Sequence, residues 1–178
     1  MTLIEVAVAL PIVLVGIGLF LQMLTAGSGL RRTGQEFWIA SSAAQDTLEE
    51  MRNADYRDLF RLYNADPFDD PGGPGTAPGA SFTVPGFEPL PDDPDGVVGE
   101  VVLPAVNTGT EVAPVWELRE DIANDPLGTP RDLTGDAVVG DVDVSADYTV
   151  LPILIRLRWD GDHGPRELRI HSILSEVR

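Results

Sequence analysis

Residues 151–174 read LPILIRLRWDGDHGPRELRIHSIL. In the first arm Leu151, Ile153, Ile155, Leu157 and Trp159 alternate with Pro152, Leu154, Arg156 and Arg158. That period of two places one set of side chains on each side of a strand. Asp160-Gly161-Asp162-His163-Gly164-Pro165 then supplies turn chemistry, and the return arm from Arg166 sets Leu168, Ile170 and Leu174 on one side. The segment predicts an antiparallel hairpin with one apolar face, and that face needs a cover.

The long element able to cover it lies at residues 35–63. Phe37, Ala40, Ala44, Leu48, Met51, Leu59 and Leu62 recur at spacings of three, four or their multiples, with Glu36, Asp46, Glu49, Glu50, Arg52, Arg57, Asp58 and Arg61 at other positions. This is the pattern of an amphipathic helix. Residues 66–96 hold eight of the 15 prolines and six of the 18 glycines, which excludes helix and central strand and predicts a surface loop, with residues 81–84 as a short edge strand. Strand-like runs follow at residues 97–103 and 112–118. The expected class is α+β: a long N-terminal helix, apolar in its first half and amphipathic in its second, packed on a C-terminal antiparallel β-sheet. Residues 1–30 form the hydrophobic part, residues 31–64 the amphipathic part, and residues 65–178 an acidic, β-rich head.

Within the first 24 residues the polar side chains are Thr2, Gln22 and one carboxylate, Glu5. The 22 residues from 3 to 24 would make a helix of about 33 Å, enough to cross a bilayer. No basic region precedes the run, so it does not read as a secretory signal. Pro11, Gly16 and Gly18 predict a kink, or sites of close helix contact. An ionised carboxylate in such a run costs several kcal/mol unless it is paired, which implies a partner. Net charge is −17, from 29 acidic residues against 12 arginines and no lysine. Such a chain repels nucleic acid and anionic lipid. Cysteine is absent, which excludes disulfides, thiolate metal sites and cysteine nucleophiles.

Thr2-Leu3-Ile4-Glu5-Val6, opening an apolar helix that runs into an amphipathic one, resembles the mature N-terminus of type IV pilins and type II secretion pseudopilins. This likeness covers about residues 1–25. A second one, to minor pilins and minor pseudopilins, lies in residues 43–52 and in the closing hairpin. Met1 departs from the usual Phe, and Pro11 and Gln22 differ from a family that often has a proline near position 22. The resemblance implies a pilin-like fold and a filament subunit, abundant or minor, drawn from the inner membrane into a periplasmic or extracellular polymer. It implies that a leader is removed by a prepilin peptidase and methylase, that Met1 is N-methylated, and that an assembly platform and other pilin-family subunits are the partners. Glu5 would then pair with the Met1 ammonium of an adjacent subunit. The plainer reading is that Glu5 complements the helix dipole in the first turn.

Asp132-Leu133-Thr134-Gly135-Asp136-Ala137-Val138-Val139-Gly140-Asp141-Val142-Asp143 resembles the 12-residue calcium loop of EF-hand and dockerin-like repeats, whose ligands would be Asp132, Thr134, Asp136, the Val138 carbonyl and Asp143. Ala137 stands where such loops carry glycine, and an Asp/Gly-rich surface turn reads the same residues without a metal. Calcium aside, no cofactor is expected. No enzyme motif is present: His163 and His171 are isolated, and Gly72-Gly73-Pro74-Gly75 lacks the lysine and the strand–helix setting of a phosphate loop. The rival to a filament subunit is a single-span, calcium-binding surface protein that does not polymerise.

Overall fold

A computed structural model describes all residues except Met1, Pro94, Glu111, Val112, His163, Val177 and Arg178, and the side chains of Leu3, Val6 and residues 24–30 are likewise outside the description. The chain divides into two compact units, Met1–Ile39 and Ala40–Arg178. Helix α1 (Leu3–Asn53) contributes only its residues 40–53 to the second.

In that second unit, Ala40, Ala44, Leu48 and Met51 are buried at spacings of four, four and three, one stripe of a 3.6-residue helix. Asn53 ends the helix. Asp55 turns extended and its carboxylate accepts the Arg57 N–H, capping a 3-10 turn at Tyr56–Asp58 that leads into α2 (Leu59–Tyr63). Among the described residues, six strands form two sheets. β1 (Ser81–Phe82), β2 (Gly99–Val102), β5 (Val150–Gly161) and β6 (Gly164–Ser175) make one, in the order β1-β2-β5-β6, and β3 (Ala105–Asn107) pairs with β4 (Trp116–Leu118) in the other.

The hairpin forms with the predicted alternation. Leu151, Ile153, Ile155, Leu157 and Trp159 are each at most 1% exposed. Across the strands, Leu157 faces Leu168 on β6 and Gly99 on β2, while Ile155 faces Ile170 and Val101. At Gly99 a Cβ would fall on the ring of Phe82, which would have to swing aside. Pro152 and Leu154, on the other side of β5, are buried as well, so the first half of this strand is covered on both faces. The 3-10 turn Asp125–Leu127 lies against β5, and Leu118, Leu127, Leu133, Val144 and Tyr148 are buried in the same insert. Trp159 is capped by Phe87, with ring centroids 4.9 Å apart and nearly parallel.

Several expectations are corrected. The long N-terminal helix packed on the sheet is not the fold of the head. Among the described residues none before Ala40 is buried, Phe37 is exposed, and no helix is long and apolar enough to cross a membrane. The helical part of the head is a set of short pieces, and the class is mixed α+β without the pilin-like long helix as its spine. The physical reason is that the apolar stripe which can face the sheet starts at Ala40 and is cut at Asn53. The expected helix at residues 35–63 is likewise broken, by the extended backbone at Asp55. The hairpin turn is shorter than six residues, since Asp160 pairs with Pro165 and Gly161 with Gly164. Carboxylates organise part of the Pro/Gly loop: Asp70 accepts the N–H groups of Thr76 and Ala77, and Asp66 that of Phe68.

Candidate functional site

Taken alone, the first unit is a helix whose described apolar side chains between Ile4 and Met23 are covered by nothing in that unit. Successive residues point about 100° apart, so four in a row sample every direction around the axis. Ile12, Val13, Leu14 and Val15 are 67%, 57%, 60% and 62% exposed. Ile4, Leu10, Phe20 and Met23 are exposed to a similar degree. Such a surface has no polar side to turn toward water and needs a cover.

Glu5 sits at the start of this surface. The Glu5 N–H donates to the Thr2 carbonyl at 3.1 Å, and the Thr2 N–H donates back to Glu5 Oε2 at 2.7 Å. Thr2 is therefore the N-cap, and Glu5, three residues on, satisfies a backbone donor that the helix leaves open. The carboxylate also lies where the helix dipole favours a negative charge. Thr2 is the partner that the sequence reading did not assign, although its spacing to Glu5 is that of a capping box. Met1, the expected partner in a neighbouring subunit, lies outside the described residues. Pro11 is inside α1, which continues through it. A Cβ at Gly16 or Gly18 would meet nothing within 4 Å. Being two residues apart, these glycines point to opposite sides of the helix and do not form one groove.

The Asp132–Asp143 segment is ordered by its own carboxylates and by one from elsewhere. Asp132 accepts from Gly135 N (2.6 Å), Ala137 N (2.8 Å) and Thr134 Oγ1 (3.2 Å). The N–H groups of Gly135 and Ala137, in that order, hold the Asp132 carboxyl below its ordinary pKa range. Asp136 accepts the Val138 N–H at 2.8 Å. Asp143 is turned to Leu118 N and to Ser145, which gives it both its N–H and its hydroxyl. Ala137 adopts φ +66°, the left-handed conformation for which calcium loops use glycine. Thus the structure turns Thr134 to Asp132, leaves Asp136 on the Val138 N–H and directs Asp143 elsewhere. Among the described residues, no group of three or more His, Cys, Asp or Glu is gathered so as to hold a metal ion.

The residue that anchors this loop is Glu120, only 3% exposed. Its Oε1 accepts Leu133 N (2.7 Å), Thr134 N (3.2 Å) and Thr134 Oγ1 (3.4 Å), and its Oε2 accepts Gly140 N (3.0 Å). No sequence signal singled it out, because its partners lie 13 to 20 residues away. His171 is exposed on β6, and His163 lies outside the described residues.

Compared with known proteins, the chain matches no family model, no curated protein and no solved structure.

Proposed function

We propose that this chain is a structural subunit of a helical filament of the type IV pilus or type II secretion kind, joined to its neighbours through residues 3–23. The observation that carries the reading is the apolar surface exposed all round the helix between Ile4 and Met23, with a single acid at its start. Covering about a dozen such side chains releases on the order of 10–20 kcal/mol relative to water. That gain measures transfer out of water, and lipid or the helices of neighbouring subunits supply it alike. Before assembly the same side chains need lipid, which supports a free subunit held at a membrane, the inner membrane by the pilin resemblance, without requiring that the helix cross it.

Exchange of lipid for helix contacts brings little net hydrophobic gain, so apolar packing alone leaves the axial register of neighbours open. Glu5 supplies that register by pairing with the terminal ammonium of Met1 in an adjacent copy. Removing one partner of a buried pair costs about 3–5 kcal/mol, because the other charge is left uncompensated. The Thr2-to-Val6 resemblance supports this assignment, and the likeness of the closing hairpin supports a minor, priming subunit. The prepilin peptidase and methylase, the assembly platform and other pilin-family subunits are its partners.

Glu5→Gln tests the reading more sharply than Glu5→Ala. Glutamine keeps an acceptor for the Thr2 N–H, and so the cap, but removes the charge. Both variants are expected to stop filament formation, read by electron microscopy of sheared material, with the circular dichroism of the head unchanged. Filaments from Glu5→Gln at wild-type yield would overturn the pairing and leave Glu5 as a helix cap.

A further inference from the structure

Three branched apolar side chains stand out from the acidic surface of the second unit. Val138, Val139 and Val142 are 60%, 47% and 64% exposed within five residues of chain. The backbone from 137 to 140 is held at three points: Asp132 holds Ala137 N, Asp136 holds Val138 N, and buried Glu120 holds Gly140 N. β-Branched residues are also stiff at χ1. The loop therefore presents an apolar knob whose ordering cost was met on folding, and less remains to be lost on docking. Asp136 and Asp141 flank the knob and are exposed.

Elsewhere on this unit, Met51, Tyr56, Leu59, Ile173 and Leu174 line a groove of about 450 Å³, with Arg52 among its lining residues. Ile173 is 53% exposed and Arg52 is exposed. The groove is apolar with a cation at its rim, and the knob is apolar with anions at its rim. Copies of a chain with net charge −17 repel one another, so a contact between two heads needs such a local inversion of sign.

We infer that the knob at residues 138–142 docks into the Met51–Ile173 groove of a second copy of this chain. Knob and groove are different patches, so the contact is heterologous and propagates from copy to copy rather than closing a two-fold dimer. It is small beside the roughly 1,600 Å² of a standard interface, and is made when copies are already held side by side. In this respect the inference rests on the filament reading, with the first unit raising the effective concentration of neighbouring heads.

The absence of cysteine allows a clean test. Full-length Val138→Cys and Ile173→Cys chains are prepared separately, mixed, allowed to assemble and oxidised mildly with diamide. Disulfide-linked heterodimers should exceed both homodimers by about tenfold, an amount equivalent to about 1.4 kcal/mol of preference. Arg52→Glu in the groove-bearing chain should lower the yield about fivefold, and Asp141→Arg in the knob-bearing chain should restore it. Filaments without heterodimer excess overturn the docking and leave the filament reading standing. Heterodimers without filaments support the docking and overturn the filament reading, and absence of both overturns both. An internal disulfide in a monomer carrying both substitutions would show the knob seated in its own groove and also overturn the inference.

Discussion

Removing the Glu120 carboxylate tests whether one buried side chain organises residues 120–140. In Glu120→Ala three backbone N–H groups lose their acceptor, while the Thr134 hydroxyl keeps Asp132. The Leu133 N–H is buried, so stranding it costs about 1–3 kcal/mol. The Thr134 and Gly140 donors are only partly buried, and water recovers much of their loss, leaving about 1 kcal/mol for each site. The total is about 3–5 kcal/mol, a large share of the 5–15 kcal/mol that holds an ordinary domain together. Glu120→Gln retains one acceptor oxygen but points an NH₂ at a donor, and should lose about 2 kcal/mol. Urea unfolding followed by the fluorescence of Trp116 and buried Trp159 reads the change, in a Trp38→Phe background that removes the signal of an indole 70% exposed. The variants should also be cut faster by protease near residues 136–142. A loss below about 1 kcal/mol for Glu120→Ala would refute the reasoning, since it would mean that the loop holds its shape without the carboxylate.

Tyr148 should give the head an alkaline limb. Its hydroxyl accepts from Phe60 N and donates to the Tyr56 carbonyl, and burial, with lesser help from the Asp58 and Asp55 charges, pushes its pKa up to about 12. An acid whose folded pKa is raised keeps its full contribution below the unfolded value near 10 and loses it as pH rises toward 12, here about 2–3 kcal/mol. Urea midpoints between pH 9 and 12 should therefore fall in the wild type and fall less in Tyr148→Phe, an equal fall in both contradicting the assignment. Gly99→Ala should cost about 1–3 kcal/mol by forcing the Phe82 ring aside, with the loss relieved in Gly99→Ala/Phe82→Ala when both are compared by thermal unfolding. Ala137→Gly should raise stability by about 1 kcal/mol, because Ala137 is held at φ +66°; an unchanged or lower midpoint would argue against the strain.

What could be read ahead of the structure was what local periodicity and local spacing carry. The alternation from Leu151 to Trp159 identified a strand and its buried face, because a period of two leaves few other readings. The stripe from Ala40 to Met51 was legible for the same reason. Its continuation through Leu59 and Leu62 was an accident of spacing, since Asp55 forms a local cap for Arg57 N and starts the chain in a new direction. The burial of Pro152 and Leu154 depends on an insert that folds over β5 from about 20 to 40 residues upstream, and no pattern within the strand announces it. β3 was missed because three residues carry too little period to detect. Glu120 is one acid among 29, distinguished only by where Leu133 and Gly140 arrive.

Glu5 joins the two levels of the argument. In one subunit it caps a helix, and in the proposed filament it pairs across subunits. A carboxylate has lone pairs for several donors, so accepting the Thr2 N–H does not use it up. The two roles differ in size: an exposed cap is worth about 1 kcal/mol or less, whereas a charge left unpaired in an apolar core costs about 3–5 kcal/mol. Loss of the carboxylate should therefore leave the subunit nearly as stable as before and act on assembly almost alone. The cap also gives the pairing a fixed starting geometry. Because Thr2 and Glu5 hold the first turn, the carboxylate is already oriented when a neighbour arrives, and assembly does not have to order it. Thr2→Pro, which deletes the N–H donated to Glu5 while leaving the charge, should thus slow filament growth without abolishing it. Growth at the wild-type rate would show that the cap contributes nothing to the pairing.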